Sequence, residues 1–335
     1  MNTDGTGYSV LRRFGGVASD GIYPEAGMIL SGESLYGTTA IGGLGFGGTA
    51  FKINTNGSGF QNVHSFSYGG DGDQLESELN LIGDTLFGIT AFSGFTNNGT
   101  FFKVRTDGTG YAALFTFPRL FSLRSCERIN GLTLVGDMFY GVGQSLDTNG
   151  AVVSSIVYRI STNGSGVQIV GQLPTDVNPC GALTWTGSEL LGAAWWKDGG
   201  SFDRIFQIET NGSGYYALKT FGPWGSIDPS LPLGDFAKSG TTLYGVSLYG
   251  GATNGGTVFS FDVRPRLSVS AVGENEKIVW PSYAHDYQLE RSLSLAPTSW
   301  TNVTATPSDD GTNKMMTLPA TPVPVFHRLR RTVEN

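Results

Sequence analysis

Histidine is nearly missing from this chain: three in 335 residues, at 64, 285 and 327. Imidazole-dependent catalysis and histidine-rich metal sites need such rings gathered on one pocket. His64 falls in an outer strand signal and the other two in a C-terminal segment, so neither chemistry is expected. Cysteine is as scarce. Cys126 and Cys180 make no disulfide framework, but they fall in consecutive connections of the repeat described below, on one face, and are candidates for a single bridge outside the cytosol.

Charge is thin as well. Only 15% of residues are charged, the net charge is −7, and apart from Arg328-Leu329-Arg330-Arg331 there is no basic cluster. Nucleic acid and anionic membrane surfaces both call for clustered Lys and Arg, so neither is an expected partner. No apolar run reaches the length of a membrane span. The chain opens directly on repeat sequence with no signal-peptide pattern, and removal of a leader from an extracellular or envelope-attached protein is the expectation.

What is abundant is glycine, 50 residues, as in proteins dense in short strands and turns. Much of it belongs to a repeat. Thr3-Asp4-Gly5-Thr6-Gly7-Tyr8 returns as Thr55-Asn56-Gly57-Ser58-Gly59-Phe60, and again from Thr106, Thr162 and Thr210. Each period of roughly 50 residues carries four strand signals. The second reads Leu35-Tyr36-Gly37, Leu86-Phe87-Gly88, Phe139-Tyr140-Gly141, Leu190-Leu191-Gly192 and Leu243-Tyr244-Gly245; the third reads Phe51-Lys52-Ile53 and its counterparts. The Asn-Gly and Asp-Gly pairs supply the positive φ of tight turns. That role also accounts for Asn56-Gly57-Ser58 and Asn163-Gly164-Ser165 without a sugar.

Four strands per period, repeated five times, predict an all-β fold: a five-bladed β-propeller over residues 1–262. The first fourth-type strand, residues 8–14, precedes every other element and is expected to close the ring by pairing with Val258–Phe261. After Val263-Arg264-Pro265-Arg266 the repeat stops. About six short strand signals then predict a small Ig- or fibronectin-like β-sandwich over residues 263–335.

Leu35-Tyr36-Gly37-Thr38-Thr39, the turn Gly42-Gly43 and Gly48-Thr49-Ala50-Phe51-Lys52-Ile53 resemble the GloVer-type tandem repeat of bacterial choice-of-anchor proteins, over about residues 1–262. The resemblance implies a secreted or envelope-attached protein and no defined activity. The third and fourth repeats depart from it, lacking the Gly-Gly pair near Gln144 and Trp195.

Candidate site residues follow from comparing repeats. Asp20, Asp71 and Asp228 are equivalent, with Asp176 one place off, and Glu25 matches Glu76; such periodicity points to turn formation by carboxylates bonding backbone N–H groups. A carboxylate ring could also hold Ca²⁺ through oxygen ligands, although no calcium-binding motif is present and no cofactor is expected. Glu78 and Asp235 share one axial position and are the residues to carry acid/base chemistry on a glycosidic bond if the chain is an enzyme. Aromatics that break the repeat are the expected ligand contacts: Trp195 and Trp196 in one loop, Trp224 in the next connection, and Tyr249 at the position of Trp196, with Asp228 nearby. The expected function is binding of a glycan or an extracellular protein on this loop face. A glycoside hydrolase and a structural envelope protein are the alternatives.

Overall fold

A computed structural model describes residues 6–67, 71–91, 99–125, 128–129, 131–196, 203–222, 228–281, 284, 287–310 and 313–332. The fold is all-β. Among the described residues, five sheets of four or more strands follow one another along residues 21–262, each organised around the predicted second and third strands, and a two-stranded ladder of Arg124–Ser125 with Arg128–Ile129 falls within the span of the third. In the first sheet Ser34–Thr39 pairs with Phe46–Asn54, with Ile29–Ser31 on one side and Gln61–Ser67 on the other. The same order recurs in Asn80–Ile82, Thr85–Ile89, Thr100–Arg105 and Ala112–Thr116. It recurs around Met138–Leu146 and Val152–Ser161, around Leu190–Trp196 and Arg204–Ile208, and around Thr242–Tyr249 and Thr257–Asp262.

The four later copies of the repeat motif form their hairpins as expected, while residues 3–5 of the first copy lie outside the described residues. The side chain of Asn56 accepts the N–H of Ser58 at 2.9 Å, and Asp107, Asn163 and Asn211 do the same two residues ahead. The glycine inside each turn adopts positive φ, 84° at Gly57, a region that costs a residue without Cβ nothing.

A second device belongs to the first, second and fifth sheets. The hydroxyls of Thr39, Thr90 and Ser247 each accept the N–H of the residue ten places on, Thr49, Thr100 and Thr257. This ties the base of the loop between the second and third strands. The third and fourth sheets have Gly143 and Ala194 where these three have the hydroxyl, so neither can form this tie.

Successive sheets pack face to face through aromatic and aliphatic layers. Phe66 meets Phe102 with ring centroids 4.7 Å apart, Phe117 meets Tyr158 at 5.6 Å, and Phe221 meets Phe259 at 5.5 Å. Side-chain to backbone bonds cross the same boundaries, from Asn80 to the Leu132 carbonyl and from Thr133 to that of Leu183.

The expected closure is not formed. Residues 8–14 make no strand, and Thr257–Asp262 pairs only with Thr242–Tyr249, so the five sheets do not close into a ring through a ladder. The N-terminal segment is instead held on the first sheet by side chains. Arg12 pairs with Asp20 and lies 3.4 Å over the ring of Phe60, and Phe14 packs on Phe51 at 4.9 Å. Phe14 thereby takes towards Phe51 the place that Phe66 takes towards Phe102.

Beyond residue 262, two further sheets form. One orders Ser268–Val272, Asn275–Pro281, Asn313–Pro319 and Ser308–Asp309; the other places Tyr287–Ser292 between Thr301–Asn302 and Phe326–Arg331. Ile278, Trp280 and Met316 from the first and Leu289 from the second share one buried cluster. Glu290 is buried between Arg328 and Arg330, each 2.7 Å away, and Arg328 lies 4.2 Å over the ring of Trp300.

Candidate functional site

The first strand signal of each repeat begins with one residue at the same position: Gly27, Glu78, Gly131, Ala182 and Asp235. All five line a single cavity of about 120 Å³, together with Glu25 and Glu76. Two acids from the second and fifth repeats thus meet where the other three repeats carry glycine or alanine.

Small residues are required there. A Cβ on Gly27 would stand 1.4 Å from Oε1 of Glu78, and one on Gly131 would stand 2.8 Å from Cβ of Ala182. Asp235 sits between the short strands Ser230–Pro232 and Ala237–Ser239 with φ of 68°. Asp and Asn are enriched in this left-handed region because a short polar side chain can bond nearby backbone. Asp235 bonds across the sheet boundary: its carboxylate accepts the N–H of Ala182 at 3.2 Å, and its own N–H donates to the Ala182 carbonyl at 3.3 Å.

Both acids are open to solvent at the cavity yet surrounded by protein. That enclosure pushes the Glu78 carboxyl above its ordinary value, and the charge of Asp235 pushes it further. Enclosure likewise raises Asp235, opposed in part by the Ala182 N–H. Desolvation and a like charge both favour the neutral acid. In its neutral form a carboxyl donates as well as accepts hydrogen bonds.

Asp20, Asp71 and Asp228 shape turns. They accept the N–H groups of Gly16 at 3.2 Å, Ser67 at 2.6 Å and Gly222 at 3.0 Å. Asp71 is also 2.6 Å from Nε2 of His64, whose ring stacks on Tyr111 at 3.9 Å. Burial would raise the Asp71 carboxyl, but the bonds from His64 and Ser67 outweigh it and hold it below the usual range. Asp176, one place off in sequence, pairs with Arg204 at 2.9 Å. Among the described residues no group of three or more His, Cys, Asp or Glu is arranged to hold a metal ion.

The aromatic candidates are only partly brought together. Trp195 pairs with Asn178 and Trp196 with Val177 at one end of the fourth sheet, and Tyr249 pairs with Ser230 at the same end of the fifth. Tyr249 is exposed, whereas the indole nitrogen of Trp195 is buried with no hydrogen-bond partner. Asp228 lies beside Tyr249 through Gly250, where a Cβ would meet the Asp228 carbonyl at 2.2 Å. Trp224 lies outside the described residues, as does Cys126, and Trp196 is placed by its backbone register. Cys180 is disulfide-bonded and lines the axial cavity, its carbonyl accepting the N–H of Gly234 at 3.1 Å.

Repeat comparison singled out Glu78 and Asp235 but missed the small partners that make room for them. The signal was present: Gly27 and Gly131 occupy an in-line position that no turn requires.

No family model matches the chain, and no curated protein matches it. Among solved structures it is similar to the GH74 enzyme of Niastella koreensis, at 15% identity and a TM-score of 0.43 over 85% of this chain and 38% of that one. It is also similar to the GH74 xyloglucanase of Xanthomonas campestris, at 11% identity and a TM-score of 0.46, covering 85% of this chain and 47% of that one. A GH43 endo-arabinanase from Bacillus licheniformis gives 14% identity and a TM-score of 0.37, over 75% and 95%. The chain therefore spans less than half the length of the two GH74 proteins.

Proposed function

We propose that this chain is an extracellular or envelope-attached carbohydrate-binding protein, built as five blades around the axial cavity, with the C-terminal β-sandwich as spacer or attachment element. The observation that carries this reading is the pairing of Glu78 and Asp235 in one cavity, both with raised proton affinity. Four carboxylates with no lysine or arginine among the lining residues repel phosphates and other anions. Carboxyl groups accept hydrogen bonds from the hydroxyls of a neutral sugar and donate to them when neutral. Trp195, Trp196, Trp224, Asp228 and Tyr249 are the proposed flanking contacts, their rings meeting the C–H faces of sugar units. The disulfide at Cys180 supports an oxidising compartment.

Hydrolysis is the second reading, favoured by the charge of Asp235 acting on Glu78. Two carboxyls converging on one cavity are what glycosidic cleavage uses. A neutral-glycan array followed by a polysaccharide digestion panel tests both. Binding that Glu78→Gln and Asp235→Asn abolish supports recognition, and release of reducing ends that these variants abolish supports hydrolysis. Silence on both overturns the carbohydrate reading.

A further inference from the structure

The loops between the second and third strands of the first and fifth sheets follow one backbone course. Gly42, Gly43, Phe46 and Gly48 have φ of 85°, 76°, 64° and 98°, and Gly250, Gly251, Asn254 and Gly256 have 101°, 76°, 54° and 94°. The N–H of Phe46 donates to the Gly43 carbonyl at 3.2 Å, as that of Asn254 does to the Gly251 carbonyl at 3.2 Å. The left-handed position without glycine is therefore Asn in one loop and Phe in the other. Asparagine suits it, and the Asn254 side chain accepts the N–H of Gly250 at 2.9 Å. Phenylalanine cannot make that bond, is strained in this region, and is 75% exposed. The loop itself has no use for its ring.

Two neighbours share that exposure. Leu44, at the place of Ala252, is 73% exposed. Tyr23, Gln74 and Leu231 have φ of 60°, 55° and 53°, so their turn belongs to the repeat, yet of the three only Tyr23 is exposed. The ladder of Gly21–Ile22 with Ile41–Gly42 sets Tyr23 beside the loop, and Glu25, two residues on, lines the axial cavity. The loop is pinned from below: a Cβ on Gly45 would stand 2.3 Å from the Phe66 carbonyl oxygen, and one on Gly47 2.8 Å from that of Gly72. No charged residue occurs from Ser34 to Phe51.

We infer that Tyr23, Leu44 and Phe46 form a second sugar subsite continuous with the axial cavity, so that the ligand is an extended neutral oligosaccharide running from Glu25 outward over the first sheet. This deepens the carbohydrate reading and rests on it. Exposed rings pack on the C–H faces of sugar units, and a stretch without charge offers nothing to an ionic partner. A loop already fixed in place loses little freedom on binding, and backbone strain of this kind clusters at ligand contacts.

Titration calorimetry of the full chain with disaccharides and hexasaccharides of the cello-, xylo- and manno- series tests it, with Phe46→Asn as the variant because the fifth repeat carries that residue on the same backbone. In the parent, the hexasaccharide of the recognised series is expected to bind several-fold more tightly than the disaccharide. In Phe46→Asn that gain is expected to vanish, with disaccharide affinity unchanged and a melting temperature at or above the parent's. No gain with length in the parent, or a gain that survives in Phe46→Asn, overturns the subsite and leaves the axial reading standing. A clearly lower melting temperature in Phe46→Asn also overturns it, since Phe46 would then serve the fold. Absence of binding to any of these sugars overturns both. Co-sedimentation with uncharged phosphatidylcholine vesicles by the parent and not by Phe46→Asn overturns the subsite in favour of a lipid surface.

Discussion

Oε1 of Glu78 occupies the space that a side chain on Gly27 would need. The glycine is therefore part of the candidate site although it carries no functional group. Replacing Gly27 by alanine is expected to push the Glu78 carboxyl out of the cavity and weaken ligand binding by about tenfold, equivalent to about 1.4 kcal/mol. Titration calorimetry with the ligand identified on the array would give the number; unchanged affinity in Gly27→Ala would separate Glu78 from the site.

The two axial carboxyls set a pH dependence whose sign is fixed. Both have folded-state proton affinities raised above the unfolded values. Their effect on stability is therefore favourable below the unfolded carboxylate range, near pH 4, and is lost as pH rises through the folded values. Glu78→Gln and Asp235→Asn should each melt at or above the parent temperature at pH 7, with that advantage disappearing by about pH 4. Thermal melts across this interval check it, and a large loss of stability at pH 7 would argue that these acids serve the fold.

Cys180 is bonded, and Cys126 is its proposed partner within the chain. A bridge closing a loop of that length contributes about 2–4 kcal/mol. Because the Cys180 carbonyl holds Gly234, next to Asp235, reduction should lower the melting temperature and weaken binding together. Peptide mapping without reductant should recover the Cys126–Cys180 pair, and free thiols on both would remove it.

Tyr249 is exposed at the end of its sheet. Tyr249→Ala is expected to change stability by no more than about 0.5 kcal/mol while lowering glycan affinity, and Trp196→Ala and Trp224→Ala should behave alike. Equal affinity in all three variants would move the ligand away from this face.

In the C-terminal sheets, burial works against ionisation of Glu290, but the hydrogen bonds and charges of Arg328 and Arg330 prevail and hold its carboxyl below the usual range. That stabilisation is present above the unfolded carboxylate value and lost as pH falls through the folded one. Glu290→Gln should cost about 2 kcal/mol at neutral pH, as for a buried hydrogen bond to a charged group. Urea melts of parent and variant at pH 7 and in acid would show the gap narrowing.

The repeat made the strands legible because each hairpin is local. An Asn-Gly or Asp-Gly pair with a side-chain cap sets its own turn wherever it stands, and the six strand signals after residue 262 all appear in the structure. Pairing residues 8–14 with Val258–Phe261 was a statement about the two ends of a 262-residue stretch. It depended on tertiary geometry, and local contacts of Arg12 with Asp20 and Phe60 held the segment elsewhere. At the site, Glu78 and Asp235 were visible as two acids sharing one axial position of the repeat. Their coupling was not, since it needs the left-handed turn at Asp235 and the two vacated glycine positions. The equivalent aspartates, by contrast, were read correctly as turn formers from periodicity alone.

The hydroxyls of Thr39, Thr90 and Ser247 also sort the loops by how far they can be rewritten. Three loops are stapled at their base, so a new sequence placed in them would have to preserve both the staple and a spacing of ten. The fourth sheet has Ala194 at that position and so has no hydroxyl to staple Arg204, and lengthening a loop costs entropy only slowly. A combinatorial library grafted between the second and third strands of the fourth sheet would leave the scaffold's own register untouched, which makes that loop the place to install a recognition surface of choice.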